Sequence, residues 1–256
     1  RADQGVLPMR IRALISKTIS NITVFTDKIM VFLFPNTCPF CGKVSEAGIC
    51  DACRAKLPYV RNPYCMRCGK PIRREEEEYC YDCSRHSHYY VSGRAVWQHV
   101  SVVRPAIYQF KYHNRRIYGR AFAREMIRAY GRTIRKWQIA IIIPIPLSKS
   151  RRRKRGYNQA EILAKEIGRL MDIPVDTESL IRNKNTIPQK VMDARGRRKN
   201  LQHAFAWKGM KLQGVNVLLI DDIYTTGSTI DVAAKTVRLA GAEKVHFLTV
   251  SIGQGT

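Results

Sequence analysis

One segment of the sequence combines the residue types that bind a phosphate group. Val217 to Ile220 form a short apolar run that predicts a buried strand, and Asp221 and Asp222 follow it directly. Thr225, Thr226, Gly227, Ser228 and Thr229 then lead into a predicted helix. The start of a helix presents unpaired N–H groups and positive dipole charge, and a glycine there allows close approach of the ligand. We therefore predict a phosphate site at this turn.

A second predicted anion site follows the β-branched apolar run Ile139 to Ile143. A basic loop, Lys149 to Arg155, precedes a helix predicted from about Gln159 to Met171. Cations followed by a helix start favour binding of a further phosphate. The candidate residues are Arg155, Gly156, Asn158 and Gln159. A solvated charge run is the competing interpretation for residues 151–154.

All eight cysteines lie before residue 84, in four Cys-x-x-Cys pairs: Cys38 and Cys41, Cys50 and Cys53, Cys65 and Cys68, Cys80 and Cys83. This spacing is typical of zinc ribbons rather than of secreted disulfide scaffolds. We predict two structural Zn²⁺ ions, one for each successive set of four cysteines. The sequence leaves crossed pairing of the sets open, and iron–sulfur ligation is the minor alternative.

The net charge predicts a polyanionic partner. The chain has 45 Lys and Arg against 20 Asp and Glu, a formal charge of +25. One predicted helix, Ile117 to Tyr130 with Gly131 as its cap, carries a row of arginines at every fourth residue, which places them on one face. The predicted contacts to single-stranded DNA are Arg116, Arg120, Arg124 and Arg128, extended by Arg151, Arg152 and Arg153. The alternatives are an anionic membrane surface, phosphate ligands alone or a merely solvated surface.

These residues need a scaffold, and alternating strands and helices from about residue 90 predict a parallel α/β sheet. We expect three regions: an N-terminal amphipathic helix in residues 1–36, a double zinc ribbon in 37–88 and the α/β domain in 89–256. The N-terminal helix either docks on the fold or lies on a membrane, and we favour docking. No apolar run is long enough to span a bilayer, and we see no signal peptide.

The segment from Val217 to Thr229 resembles the signature of type I phosphoribosyltransferases. The resemblance implies an α/β parallel-sheet fold of that type, which would follow the small N-terminal zinc-ribbon domain that the cysteines predict. It also implies binding of phosphoribosyl pyrophosphate with Mg²⁺: the 5-phosphate on Thr225 to Thr229, and the catalytic pair Asp221 and Asp222 near the ribose hydroxyls. A flexible loop containing Gln189, Arg195 and Arg198 would close over the site.

The order of motifs is similar to that of the ComF family, specifically the ComFC-type competence proteins. The shared motifs include Ile107-x-x-Phe110-Lys111-Tyr112, Pro144-Ile145-Pro146-Leu147 and Arg155 to Glu161. The resemblance implies a role in natural transformation, handling of single-stranded DNA and a helicase partner of the DNA-uptake machinery. It implies a cytoplasmic protein, or one held at the inner face of the membrane.

The acceptor of a transfer reaction is not readable from the sequence. Few residues follow the last predicted strand, so any hood over a base must come from roughly Tyr89 to Arg116, where Trp97, Tyr108, Phe110 and Tyr112 supply aromatic rings. Three classes compete: a DNA-uptake factor, a catalytic phosphoribosyltransferase of nucleobase salvage or nucleotide metabolism with no DNA role, and a ligand-sensing regulator. We find no helix-turn-helix that would favour the regulator.

Overall fold

The computed structural model describes residues 36–183 and 204–253. The predicted N-terminal helix lies outside the described residues, and so do Gln189, Arg195 and Arg198 of the predicted flexible loop.

The described chain begins with two similar cysteine modules. In each module a glycine in the left-handed region, Gly42 at φ +74° or Gly69 at φ +75°, closes the turn after the first Cys-x-x-Cys pair. The second pair then starts a short helix, α1 (Asp51–Arg54) in the first module and α2 (Tyr81–Arg85) in the second. The first module is defined by Cys38, Cys41, Cys50 and Cys53, and the second by Cys65, Cys68, Cys80 and Cys83.

A parallel sheet follows, with helices on both faces. The elements are β1 (Ser92–Gln98), α3 (Arg104–Tyr112), α4 (Tyr118–Lys136), β2 (Ile141–Pro144), α5 (Lys149–Arg155), α6 (Gln159–Met171), β3 (Leu180–Arg182), β4 (Phe205–Trp207), β5 (Asn216–Tyr224), α7 (Ser228–Leu239) and β6 (Lys244–Ile252). The order β1-β6-β5-β2 is parallel throughout, and β3 and β4 form a separate antiparallel pair. The predicted fold class is confirmed as an α/β parallel sheet behind a small domain of two cysteine modules. The exact domain boundaries stay a prediction.

The two faces of the sheet bury separate cores. Leu218 and Ile220 of β5 point to one face, where α4 and α6 pack, while Val217 and Leu219 point to the other, where α7 packs. Cys38 of the first module belongs to the α4 face, and the four cysteines of the second module belong to the α7 face. The two modules therefore lie against opposite sides of the same sheet.

Two sequence-based boundaries were wrong. The helix predicted to stop at Gly131 continues to Lys136, because Ile134 of the following turn packs in the core. The predicted basic loop is the helix α5. The Ser148 Oγ accepts a hydrogen bond from the Arg151 N–H at its start, and Gly156 at φ +75° ends it.

Candidate functional site

The predicted phosphate turn lies at the carboxyl end of β5. Gly227 has φ +77° and serves as the N-cap of α7, while Thr225 and Thr226 are exposed to solvent. The hydroxyls of Thr226 and Ser228 are 3.0 Å apart. The exposed hydroxyls and the free N–H groups of the first turn of α7 are suited to binding an anion.

A pair of buried tyrosines supports this turn from below. Tyr224, the last residue of β5, stacks on Phe247 with ring centroids 4.9 Å apart. The Tyr224 hydroxyl is 2.9 Å from the hydroxyl of Tyr90. A Cβ atom on Gly227 would collide with the Tyr224 hydroxyl. Burial raises the pKa of both tyrosines well above the usual range, so both hydroxyls remain protonated.

The two predicted carboxylates, Asp221 and Asp222, are consecutive residues of β5. Asp222 accepts an ion-paired contact from the Lys111 Nζ at 2.9 Å, and the Asp221 Oδ1 accepts a hydrogen bond from the Asp222 N–H at 2.8 Å. Burial, with repulsion from Asp222, raises the pKa of Asp221 to about 7, against the attraction of Lys111. A further cation beside Asp221 and Asp222 would reduce the repulsion between the two carboxylates.

The second predicted anion site faces the first. Asn158 is the N-cap of α6 and donates to the Ile145 carbonyl oxygen at 3.0 Å. Gln159 is almost completely buried and accepts from Arg155 Nη1 at 3.0 Å. Arg155 Nη2 also donates to the Tyr112 hydroxyl at 2.9 Å, which fixes the guanidinium against α3.

One cavity of about 210 Å³, the carboxylate cavity, brings most of the predicted residues together. Its lining includes the predicted residues Asp221, Asp222, Thr225, Thr229, Arg155, Asn158 and Gln159. Thr226, Gly227 and Ser228 instead face a neighbouring cleft beside the second cysteine module. Gly156 ends α5 without lining the cavity.

Two cations of this cavity were missed as site residues. Lys111 lies in the motif Phe110-Lys111-Tyr112, which was noticed only as a family pattern. Arg182 ends β3 and has its guanidinium 5.3 Å from the Phe205 ring centroid. A single arginine in a three-residue strand carries no sequence signal, because its neighbourhood depends on the pairing of β3 with β4.

The predicted DNA-binding arginines are divided by the structure. Arg151 lines the carboxylate cavity, Arg152 lies 3.6 Å from the Glu161 carboxylate, and Arg153 is exposed. The four arginines of the predicted row are all exposed: Arg116 just before α4, and Arg120, Arg124 and Arg128 along it. The row thus lies on the surface, where the contact with DNA stays a prediction.

The cysteines form two clusters whose ligand atoms all lie within 4.8 Å of one another, in the predicted uncrossed pairing. The Cys41–Cys50 and Cys68–Cys80 sulfur distances are 3.7 and 3.6 Å. Tetrahedral zinc with Zn–S bonds of about 2.3 Å requires sulfur atoms about 3.8 Å apart. The two tetracysteine clusters therefore fit two structural zinc sites.

Comparisons with known proteins agree with this arrangement. The double zinc ribbon domain family matches residues 29–84. Competence protein F of Haemophilus influenzae is 30% identical over 208 residues, which cover 79% of this chain and 90% of that protein. The chain belongs to the ComF family. Another member, competence protein ComFC of Bacillus subtilis, is 30% identical over 196 residues, covering 74% of this chain and 78% of the relative. The DNA utilization protein YhgH of Escherichia coli is 28% identical over 217 residues, covering 78% and 94% of the two chains.

Solved structures resemble this ComF chain only weakly. A purine phosphoribosyltransferase from Pyrococcus horikoshii has a TM-score of 0.34 at 18% identity, covering 51% of this chain and 73% of that one. The glutamine phosphoribosylpyrophosphate amidotransferase of Bacillus subtilis has a TM-score of 0.38 at 16% identity, covering 55% and 30%. Across residues 36–183 and 204–253, no helix combines the length and the apolar character needed to cross a membrane.

Proposed function

We propose that this ComF-family chain binds phosphoribosyl pyrophosphate with Mg²⁺ in the carboxylate cavity and acts in DNA uptake. The observation that carries the proposal is the convergence, in one cavity, of the carboxylate pair, Thr225 and Thr229 from the two ends of the predicted phosphate turn, and the cations Lys111, Arg151 and Arg155. The ligand has the matching chemistry: a phosphate for the turn, a pyrophosphate for the cations and hydroxyl groups for the carboxylates.

The donor set also suits the metal that the family resemblance implies. Carboxylate oxygens are the ligands that Mg²⁺ prefers, and Asp221 and Asp222 supply them side by side. When bound, Mg²⁺ would neutralise charge on the pyrophosphate. Lys111 already contacts Asp222, so we expect this lysine to share the carboxylate or to turn toward a phosphate when the ligand binds.

Isothermal titration calorimetry with phosphoribosyl pyrophosphate and Mg²⁺ tests this proposal. We expect binding by the wild-type protein, and weaker binding by at least about tenfold in Asp222→Asn, because the variant loses one of two adjacent charges. Glu178→Gln removes one negative charge at an exposed position outside the cavity and is the matched control. Equal affinity in Asp222→Asn, or no binding by the wild type, would remove the assignment.

Transfer of the phosphoribosyl group to a base is the second candidate function. In that reaction a ring atom of the acceptor forms a bond to C1′, the C1′–oxygen bond to pyrophosphate breaks and its electron pair leaves with pyrophosphate, while the acceptor releases a proton to solvent. Asp221 and Asp222 favour this candidate because carboxylates near C1′ would stabilise the positive charge that develops there. If phosphoribosyl pyrophosphate binds but no acceptor in a screen gives a product, the uptake function remains and the transfer function is rejected.

The surface arginines support a DNA-handling role. Four exposed arginines at helical spacing offer a cationic track. The Arg124 guanidinium donates to the Glu46 carbonyl oxygen at 3.3 Å, and Arg128 lies 3.7 Å from the Glu125 carboxylate. We expect binding of single-stranded DNA with little sequence dependence and strong salt dependence. The helicase partner and a place at the inner face of the membrane belong to the same proposal, as expectations from the family resemblance.

Fluorescence anisotropy over a salt series measures the DNA contacts. Changing Arg120 and Arg124 together to glutamine should reduce the log–log salt slope by roughly one to one and a half, since each phosphate contact on a single strand contributes about 0.7. The control changes Arg73 and Arg74, exposed arginines of the second module, to glutamine. An unchanged salt slope in the Arg120 and Arg124 variant would show that the row of arginines does not contact the DNA.

A further inference from the structure

A second and larger cavity, of about 710 Å³, opens beside the carboxylate cavity. Lys111 and Ile223 line both cavities and form the boundary between them. The volume is within the range of small-molecule sites in proteins. We refer to it as the α3 cavity, because most of its lining comes from α3 and the residues that flank it.

The walls of the α3 cavity suit a flat ring. Tyr108 and Tyr112 stand one helical turn apart on α3 with ring centroids 4.8 Å apart, and both side chains are about half exposed. Pro105 and Ile223 add apolar surface. Aromatic faces beside apolar side chains bind planar rings by stacking. Of the aromatics expected to form a hood, Trp97 and Phe110 are instead buried in the core, so only the two tyrosines are available.

The charge in the α3 cavity selects among planar rings. Its lining includes the cations Arg104, Lys111 and Arg115, and no aspartate or glutamate. Lys111 is paired with Asp222, whereas neither Arg104 nor Arg115 makes an ion pair within the part of the chain that the structure describes. Arg104 Nε donates to the His99 carbonyl oxygen at 3.2 Å, which leaves its charge uncompensated.

The remaining polar groups of the α3 cavity add no negative charge to it. Burial, together with Lys111 and Arg104, lowers the pKa of His99, so its imidazole is neutral at pH 7 and lies 2.9 Å from the Ser251 hydroxyl. The Gln109 Oε1 accepts from the Tyr118 hydroxyl at 3.4 Å, and its amide N–H groups can donate to a heterocycle. A ring that carries a negative charge therefore meets both requirements of the cavity, aromatic stacking and charge neutralisation.

We propose that the α3 cavity binds a planar heterocycle bearing an anionic group such as a carboxylate, with its ring on Tyr108 and Tyr112 and its charge on Arg104 and Arg115. This deepens the proposed function, since the ring would lie next to the phosphoribosyl pyrophosphate site across Lys111. The cations converge on one cavity rather than follow a track, which favours a small anion over a strand of DNA.

Two pairs of probes that differ only in the charged group test the proposal: orotate against uracil, and nicotinate against nicotinamide. Binding is measured by calorimetry on the full chain, with and without phosphoribosyl pyrophosphate and Mg²⁺. We expect at least one carboxylate to bind at least about tenfold more tightly than its neutral partner, as charge-assisted hydrogen bonds imply. In Arg104→Gln combined with Arg115→Gln this preference should disappear, while affinity for phosphoribosyl pyrophosphate is retained.

Arg132→Gln combined with Arg135→Gln removes the same charge from exposed positions outside the α3 cavity and should keep the preference. If phosphoribosyl pyrophosphate binds but every carboxylate binds no better than its neutral partner, the α3 inference fails and the proposed function stands. If a carboxylate binds selectively and phosphoribosyl pyrophosphate does not bind, the proposed function fails and the α3 inference stands. Binding of a single-stranded oligonucleotide that is lost in Arg104→Gln combined with Arg115→Gln, without binding of any free ring, would assign the cavity to DNA and overturn the inference.

Discussion

The two cysteine modules share a sequence pattern, yet they are embedded to very different degrees. In the second module all four cysteines are buried, whereas in the first only Cys38 is buried and Cys41 is exposed. The Lys70 ammonium group of the second module is also buried, 2.7 Å from the Asp82 carboxylate, while the corresponding Lys43 is exposed. Similar local folding therefore coexists with different roles in the tertiary structure.

The partners of each module explain the difference. The second module packs on β1, where the Gly93 N–H donates to the Arg67 carbonyl oxygen at 2.7 Å. Just after this module, His88 stacks on Tyr90, which reaches the phosphate turn through Tyr224. The second module is thus part of the support of the candidate site.

The first module is attached through a side-chain junction with α4. Glu125 is buried and accepts from the Tyr59 hydroxyl at 2.6 Å and from Arg54 Nε at 3.2 Å. Burial and Glu125 raise the pKa of Tyr59 to about 12, so this hydroxyl remains a donor. Among the residues that the structure describes, no contact of this junction involves the phosphate turn, so loss of the Glu125 contacts should have little effect on the candidate site.

The largest expected effect separates the two metal sites. Cys68→Ser should remove one zinc and lower the free energy of unfolding by more than about 4 kcal/mol, because metal binding and folding are coupled in a buried cluster. Cys41→Ser should lower the free energy of unfolding by less than half of that amount, since the Cys41 side chain is already exposed. Urea unfolding followed by tryptophan fluorescence, with zinc analysis of each variant, measures both; equal midpoints would break the comparison.

Wild-type protein provides the control for this experiment. A chromogenic chelator should withdraw zinc in two phases, the faster from the first module, because Cys41 is open to attack. Cys41→Ser should abolish the fast phase and leave the slow one. A single phase in the wild type would contradict the difference in protection.

An intermediate effect is expected from the contact between the second module and the phosphate turn. Tyr90→Phe leaves the buried Tyr224 hydroxyl without its partner, which should cost about 1–3 kcal/mol in the free energy of unfolding and weaken phosphoribosyl pyrophosphate binding several-fold. Tyr130→Phe removes a comparable buried hydrogen bond, to the Ala95 carbonyl oxygen at 3.0 Å, away from the turn. It should lower stability without affecting binding; equal binding losses in the two variants would argue against a specific link.

The smallest expected effect concerns the first module. Glu125→Gln removes the charge that pairs with Arg54 but retains an acceptor, so we expect a loss of about 1 kcal/mol in the free energy of unfolding and unchanged ligand affinity. Glu243→Gln, in an exposed pair with Lys244, is the control and should change stability by less than about 0.5 kcal/mol. A marked loss of ligand affinity in Glu125→Gln would show that the first module also supports the site.

Much of the candidate site could be predicted because its parts are local in sequence. The strand, the carboxylate pair and the turn from Val217 to Thr229 are consecutive, and Gly227 adopts the positive φ that such a turn requires. The cysteine clusters could be predicted for the same reason, since each knuckle is a four-residue unit. Gln159–Met171 was predicted as a helix with the observed bounds, because its apolar period and its Asn158 cap agree.

Helix ends and long-range contacts could not be predicted in this way. The extension of α4 past Gly131 and the helical state of the basic segment in α5 depend on packing and on caps whose partners are set by the whole fold. The same holds for the different burial of the two modules, which the repeated Cys-x-x-Cys pattern does not contain.

The sequence by itself determined the chemistry available to this protein: two zinc-binding modules, a carboxylate pair, a phosphate turn and an excess of cations. Only the tertiary structure decided which of these groups meet. Lys111 and Asp222 are 111 positions apart in numbering, yet their charged atoms are 2.9 Å apart because α3 and β5 converge at one edge of the sheet. A residue type and its spacing specify local hydrogen bonds and periodic faces, whereas contacts between distant segments depend on strand order and on the packing of the core.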